Sequence, residues 1–177
     1  MKTILAAIAG LLLLTAGAAR AEVVSAETNG AVIRQSVTIR APAAQVWEAL
    51  IHPSRWWDSG HTFSGAADNL YIDLSQAGCL CERTPGGGHV RHLSLVYFSP
   101  GQELRFEGGM GPMQTSGTTG HMSWTVREAN GVTTLTWTYA LGGYFPGGIA
   151  AFAPAVDGML GQQVGRLKTF VETGRPG

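Results

Sequence analysis

Apolar residues recur at helical spacing through the last long segment of the chain, residues 148–172. At 3.6 residues per turn they form one wide stripe, which is typical of a helix that buries one face against a large surface. The stripe contains Ile149, Phe152, Val156, Met159, Leu160, Val164, Leu167, Phe170 and Val171. It also contains Gln163, a polar residue that needs a partner when it is buried. Gly158, Gly161 and Gly165 share the other face, which is either solvated or free for close approach by a second subunit.

Most of the chain before this helix alternates between apolar and polar residues, the period of β-strands. The predicted strands cover residues 31–39, 70–74, 78–83, 89–98, 102–107, 118–128 and 132–141. Two short helices are predicted after the first strand, one beginning near Pro42 and ending before Pro53, the next following Ser54. An antiparallel sheet with one apolar face must be covered, and only the C-terminal helix is long enough to cover it. The pattern therefore predicts an α+β fold in which a curved antiparallel sheet grips that helix.

The first 21 residues have the parts of a secretory signal peptide: Lys2, an apolar run over 4–14, and an Ala-x-Ala site at 19–21. The apolar run is too short to be a typical membrane-spanning helix. We expect cleavage after Ala21, a flexible leader over 22–30, a single domain over 31–173 and a tail over 174–177. The expected location is the periplasm, with no membrane insertion after signal removal. A retained amphipathic anchor is the alternative.

The composition and charge of the chain indicate which classes of binding partner and cofactor to expect. Charged residues make up only 14% of the chain, and glycine is abundant, which suits a compact exported domain. Without Lys2 and Arg20, acidic residues outnumber basic ones by two, and no basic cluster is present, so we expect no nucleic-acid partner. The chain has no nucleophile elbow, Walker motif, zinc-protease helix or dinucleotide fingerprint, so no cofactor is expected. The oligomeric state is left open.

Several segments resemble a known superfamily. They are the opening strand with residues 41–50, the strand–turn–strand over 96–104, the closing helix, and the shorter stretches 78–82, 111–114 and 156–158. Over residues 31–173 the chain resembles the START-like, helix-grip proteins grouped as SRPBCC, which include polyketide cyclases and heat-shock-ATPase-activator homologues. The resemblance implies a cavity between sheet and helix that holds an apolar small molecule. It implies no shared set of catalytic residues.

Cys79 and Cys81 lie two residues apart on a predicted strand. A lone cysteine pair in an oxidising compartment normally indicates a disulfide. In an extended strand, however, their Cα atoms would be about 6.6 Å apart, at the long end of the range that a disulfide spans. We expect two free or partly buried thiols. The alternatives are a strained, redox-labile bridge, which a bulge at Gly78 would relieve, and a metal site completed by a histidine.

His92 is the main candidate for acid–base chemistry. It shares strand parity with Val96 and Phe98, so it should face the cavity if they do, with Glu82 or Cys81 as its partner. The alternatives for His92 are a hydrogen-bonded cavity lining and a surface group. His61 follows two tryptophans in a loop and is placed either at the mouth of the cavity or in plain packing at the edge of the core. No metal site is predicted.

The expected ligand contacts lie on the inner face of the sheet and on the helix: Trp124, Trp137, Tyr139, Phe106, Met122, His92, Gln163 and Leu160. The aromatic residues among them also fit an ordinary core, and Gln163 also fits a hydrogen-bonded core position. The glycine-rich stretches 108–120 and 142–148 are expected to form mobile lips of the pocket.

The functional hypothesis is an exported binding protein for a hydrophobic small molecule, lipid-like or polyketide-like. One alternative is an enzyme on the same scaffold, of the cyclase, isomerase or hydrolase type, in which His92 acts with Glu82 or Cys81. Another is a chaperone-like interaction module without a ligand.

Overall fold

The structure, a computed structural model, describes residues 20–177. Residues 1–19 of the predicted signal peptide lie outside the described residues. The strands are β1 (Arg20–Glu27), β2 (Gly30–Ile39), β3 (Leu70–Asp73), β4 (Cys79–Thr84), β5 (Gly88–Ser99), β6 (Glu103–Glu107), β7 (Gly117–Ala129) and β8 (Val132–Tyr144), and the helices are α1 (Ala43–Leu50) and α2 (Ile149–Thr173). The predicted strands and the long helix appear within a few residues of their expected bounds.

All eight strands form one antiparallel sheet in the order β1-β2-β8-β7-β6-β5-β4-β3. Helix α2 packs on the sheet, chiefly against β1 and β2. The predicted α+β helix-grip fold is therefore confirmed, although the second short helix is only a 3-10 turn, Pro53–Arg55. Within residues 20–177, neither helix is long and apolar enough to cross a membrane.

The segment expected to be a flexible leader is mostly strand β1. Its residues pair with β2, for example Val23 with Ile33 and Ala26 with Ala31. The strand lies at the edge of the sheet, Val24 is exposed, and the register shifts between Val23 and Ser25. Since an edge strand is held mainly by backbone hydrogen bonds to one neighbour, it needs no apolar alternation, which is why the sequence pattern does not reveal it.

A stack of tryptophans fills the space between the sheet and the loop after α1. The rings of Trp124 on β7 and Trp137 on β8 lie 4.3 Å apart and nearly parallel. Trp56 and Trp57 pack on Trp137 with ring centroids 6.0 and 6.3 Å away. All four side chains are buried. Because aromatic burial contributes strongly to core stability, this stack anchors the loop from Trp56 onward against the sheet.

The glycine face of α2 has one clear packing role. A Cβ added at Gly161 would lie only 3.3 Å from Oε1 of Gln35, so the glycine lets this buried β2 side chain lie close beneath the helix. Gln35 in turn donates from Nε2 to the main-chain oxygen of Asp157 at 3.1 Å. Gly158 and Gly165 face open space among the residues that the structure describes.

Candidate functional site

A cavity of about 570 Å³ opens between the first half of α2, the loop after α1 and the glycine-rich connection that precedes β7. Most of its wall is apolar, from Trp57, Phe63, Met110, Pro112, Met113, Phe152, Ala155, Val156 and Met159. Polar groups are contributed by His61, Thr62, His92, Gln114 and Thr115. This size and composition are typical of pockets that enclose an apolar small molecule.

Tyr139 holds one wall of the cavity in place from below. Its hydroxyl donates to the carbonyl of Gly108 at 2.7 Å and accepts from the amide N–H of Met110 at 3.2 Å. Burial raises the pKa of Tyr139 to about 12, so the hydroxyl stays protonated and able to donate. Gln114 fixes the far end of this wall by donating from Nε2 to the carbonyl of Arg91 at 3.1 Å. The predicted lip over 108–120 is therefore tied to the sheet at two points.

Gln163 holds the opposite wall. It is fully buried on α2, and its Oε1 accepts from the backbone N–H of Asp58 at 2.9 Å. Its Nε2 lies 3.2 Å from Nδ1 of His61, whose ring lines the cavity. Trp57 donates from Nε1 to the carbonyl of His61 at 3.1 Å. Gln163 was expected to be either a ligand contact or a hydrogen-bonded core residue, and the structure shows the second. It positions His61 at the cavity.

His92 and Glu82 meet at the third side of the cavity. Nε2 of His92 lies 2.9 Å from Oε2 of Glu82, with His92 6% exposed and Glu82 completely buried. The carboxylate also accepts the backbone N–H groups of Phe63, at 3.0 Å, and Ser64. Burial alone would raise the pKa of Glu82, but hydrogen bonds from Ser64, Phe63 and His92 outweigh it and hold this pKa below its usual value. Glu82 is therefore ionised and also anchors the loop that bears Phe63.

Burial has the opposite consequence for His92. It lowers the pKa of His92 more than the attraction of Glu82 raises it, so the ring is neutral at pH 7. Because the carboxylate of Glu82 can only accept, Nε2 of His92 carries the ring proton and Nδ1 is left as an acceptor. Phe63 lies over the ring with centroids 5.6 Å apart. The arrangement is a neutral imidazole, oriented by a carboxylate, at the edge of an apolar cavity.

The parity argument that placed His92 in the cavity is wrong, although His92 does line it. Val96 is 51% exposed, whereas the buried residues of this strand are His92, Leu93 and Leu95. The register shifts between Leu80 and Cys81, so that His92 has no direct partner on β4. Such a β-bulge turns one extra side chain to the inner face. A second register shift, between β5 and β6 at Val96, interrupts the alternation of inner and outer side chains along β5.

Cys79 and Cys81 form a disulfide, which corrects the expectation of free thiols and excludes the metal alternative for this pair. Their Cα atoms are 5.4 Å apart, closer than in an extended strand, within the range that a disulfide spans. Strand alternation directs both sulfurs away from the face that carries Leu80 and Glu82. Cys81 is therefore unable to act as a nucleophile beside His92. Of the two expected partners of His92, only Glu82 remains.

The other expected ligand contacts are packed in the core. Trp124, Trp137, Phe106, Met122 and Leu160 are each at most 1% exposed, and none lies on the described cavity wall. Tyr139 acts on that wall through its hydroxyl rather than lining it. No residue of the second expected lip, 142–148, is part of the described wall, although Phe145 stacks on the wall residue Phe152. Among the α2 stripe, however, Phe152, Val156 and Met159 do line the cavity, so the helical pattern contained a signal for them.

Acidification should destabilise the protein through His92. Because the pKa of His92 is lowered in the folded state, the unfolded chain binds a proton at a pH where the folded chain does not. The free energy of unfolding should therefore fall as the pH drops from 7.5 to 5, through the ordinary histidine range near about 6.5. H92Q keeps a donor toward Glu82 but does not titrate, so its fall should be smaller. Urea unfolding across this range measures both slopes, and equal slopes would contradict the prediction.

Two comparisons with known proteins, one with family models and one with solved structures, agree on the fold. Residues 30–172 match the family model described as "Polyketide cyclase / dehydrase and lipid transport". No curated protein matches the chain in sequence. A conserved protein of unknown function from Enterococcus faecalis superposes with a TM-score of 0.62 at 14% identity, covering 90% of this chain and 80% of its own.

Two further solved structures are similar at low identity. CalU16 from Micromonospora echinospora has a TM-score of 0.56 and 16% identity, with 91% of this chain and 88% of CalU16 covered. The di-domain ARO/CYC BexL from the BE-7585A biosynthetic pathway has a TM-score of 0.54 and 15% identity, with 82% of this chain and 50% of BexL covered. The family match spans the whole sheet from β2 onward and nearly all of α2. The chain therefore belongs to the polyketide cyclase/dehydrase and lipid-transport family of the SRPBCC superfamily, which supports a ligand-binding or cyclase function.

Proposed function

We propose that the protein is an exported binding protein for a hydrophobic small molecule held in the cavity beside α2. The observation that carries this proposal is the cavity itself, about 570 Å³ with a wall built mainly from aromatic rings, methionines and proline. Flexible methionine side chains adapt to ligands of different shape, and Met110, Met113 and Met159 supply three of them. A lipid-like or polyketide-like molecule fits a site of this composition. An interaction module without a ligand would have no use for such a cavity.

Two features support export. The N-terminal sequence has the layout of a cleavable signal, with an Ala-x-Ala site ending at Ala21. The pair Cys79–Cys81 is bonded, and disulfides persist mainly in oxidising compartments such as the periplasm. We therefore propose that the mature protein is located in the periplasm.

Native mass spectrometry of protein purified from its own periplasm tests the proposal. We expect an additional mass from a co-purified apolar molecule, which is released by delipidation, and a chain mass that corresponds to cleavage after Ala21. A spectrum that shows only the bare chain, together with failure to bind added apolar compounds, would refute the binding function. An intact N-terminus would refute export by this signal without affecting the cavity.

An enzyme of the cyclase type is the second candidate, and the buried pair of His92 and Glu82 favours it. A neutral imidazole with a free Nδ1 can accept a proton from a bound molecule, and Glu82 would stabilise the imidazolium that forms. The apolar surroundings strengthen that electrostatic effect. Chemical change of the co-purified molecule on incubation with wild type, but not with H92Q, would distinguish the enzyme from the carrier.

A further inference from the structure

The two histidines on the cavity wall are held in the same tautomer, with the ring proton on Nε2, but they leave opposite nitrogens free for a ligand. Glu82 accepts the backbone N–H groups of Phe63 and Ser64 and faces Nε2 of His92 at 2.9 Å. A carboxylate in this position has no proton to give, so Nε2 of His92 must donate. Nδ1 of His92 is then an acceptor, and it has no hydrogen-bond partner among the described residues. His92 is 6% exposed and lines the cavity.

The tautomer of His61 follows from Gln163. The two ends of the Gln163 amide are identified because Oε1 accepts the backbone N–H of Asp58 at 2.9 Å. The NH₂ end therefore faces Nδ1 of His61 at 3.2 Å, and since an NH₂ group only donates, Nδ1 accepts. Since Nδ1 then carries no proton, the ring proton of His61 lies on Nε2. This nitrogen has no partner among the described residues, and the ring lines the same cavity as His92.

We infer that the cavity selects an apolar molecule that carries both a hydrogen-bond acceptor, such as a ketone, and a donor, such as a hydroxyl. Nε2–H of His61 binds the acceptor and Nδ1 of His92 binds the donor. Gln163 and Glu82 are positioning residues, because each fixes which nitrogen of its histidine faces the ligand. This inference rests on the proposed binding function and adds the polarity of the ligand to it.

The surroundings make the two nitrogens discriminating. Apart from the two histidines, Thr62, Gln114 and Thr115, the described wall consists of apolar side chains and glycines, which offer a ligand no side-chain hydrogen bond. A polar group buried there without a partner loses the hydrogen bonds that it made with water. A ligand with the two polar groups reversed would set its ketone oxygen, which can only accept, against the acceptor Nδ1 of His92. The site therefore rejects misplaced polar groups as well as accepting matched ones.

Nitrogen-15 NMR of histidine-labelled protein tests the tautomers directly. At pH 7.5 we expect both cavity histidines to carry the ring proton on Nε2. His92 does so because Nε2 donates to Glu82, and His61 does so because its Nδ1 accepts from Gln163. In both cases Nδ1 should have the shift of an unprotonated nitrogen. In Q163L the resonances of His61 should move toward a tautomer mixture, while those of His92 should stay unchanged. A positively charged His92, or an Nδ1–H tautomer at either ring, would overturn the inference.

A matched ligand series tests the selectivity. The probes are 2-ethylnaphthalene, 2-acetylnaphthalene and 6-acetyl-2-naphthol, titrated against the full mature protein. Each added polar group should tighten binding by about fivefold to tenfold. The gain from the ketone should disappear in H61F, and the gain from the hydroxyl should disappear in H92F.

The outcomes separate the two proposals. If the three naphthalenes bind with equal affinity, the inference fails and the apolar binding function stands. If none binds, the binding function fails as well. If H92F does not fold, the series on wild type and H61F still decides whether the polar groups contribute. Gains that persist in H61F would assign the ketone elsewhere and overturn the role of His61.

Discussion

Replacing Glu82 by alanine should lower the free energy of unfolding by about 3–5 kcal/mol. The carboxylate is completely buried and accepts three N–H donors, from Phe63, Ser64 and His92. Its removal leaves these donors without their partner, and each unsatisfied buried donor costs about 1–3 kcal/mol. The variant should also release the loop at Phe63, which opens the cavity. Urea unfolding measures the stability, and amide hydrogen exchange at Phe63 and Ser64 measures the release.

Two further variants serve as controls for this prediction. E82Q keeps the shape of the side chain and one acceptor oxygen, so it should lose less stability than E82A and remain folded. E107A, at an exposed position on β6, should change the free energy of unfolding by no more than about 0.5 kcal/mol. If E82A unfolds at the same urea concentration as E107A, Glu82 does not anchor the loop.

The elements of this fold are predictable where a side-chain period exists. Residues 118–126 and 133–141 alternate because β7 and β8 each present one face to the core, and the turn at Asn130 and Gly131 marks their hairpin. The apolar stripe on α2 likewise corresponds to the buried face of the helix. Strand β1 was missed because an edge strand buries too little side chain to leave a pattern.

The cavity was misplaced for a related reason. The sequence places large apolar side chains such as Trp124 and Trp137 on the inner face, but it does not show whether they enclose space or fill it. Here they stack on each other and on Trp57, so that end of the interior is full. The open space lies where two loops, 57–63 and 110–115, meet α2, and loop conformation follows hydrogen bonds that no periodicity encodes.

The chemistry of the site depended on single-residue irregularities. His92 reaches the cavity because the bulge opposite Leu80 and Cys81 adds one residue to β5. The pair with Glu82 was predicted from the residue types, and the structure places these two side chains together. Strand parity does not correctly predict this pair, because one inserted residue reverses the face of the sheet to which the following side chains point.

Filling the cavity from α2 should weaken ligand binding without unfolding the protein. Ala155 is exposed and lines the cavity, so a tryptophan there occupies space that a ligand needs. Overpacking costs about 1–3 kcal/mol, so the dissociation constant should rise by about 10- to 100-fold. Ala151, also exposed and one turn earlier, is the matched control, because it is not part of the described cavity wall.

The most direct measurement of the central claim is a fluorescence titration of the neutral apolar probe N-phenyl-1-naphthylamine against wild type, A155W and A151W. We expect saturable binding of one probe per chain to wild type and to A151W, and a dissociation constant at least about tenfold higher for A155W. Equal binding by A155W and wild type would show that the cavity beside α2 is not the ligand site.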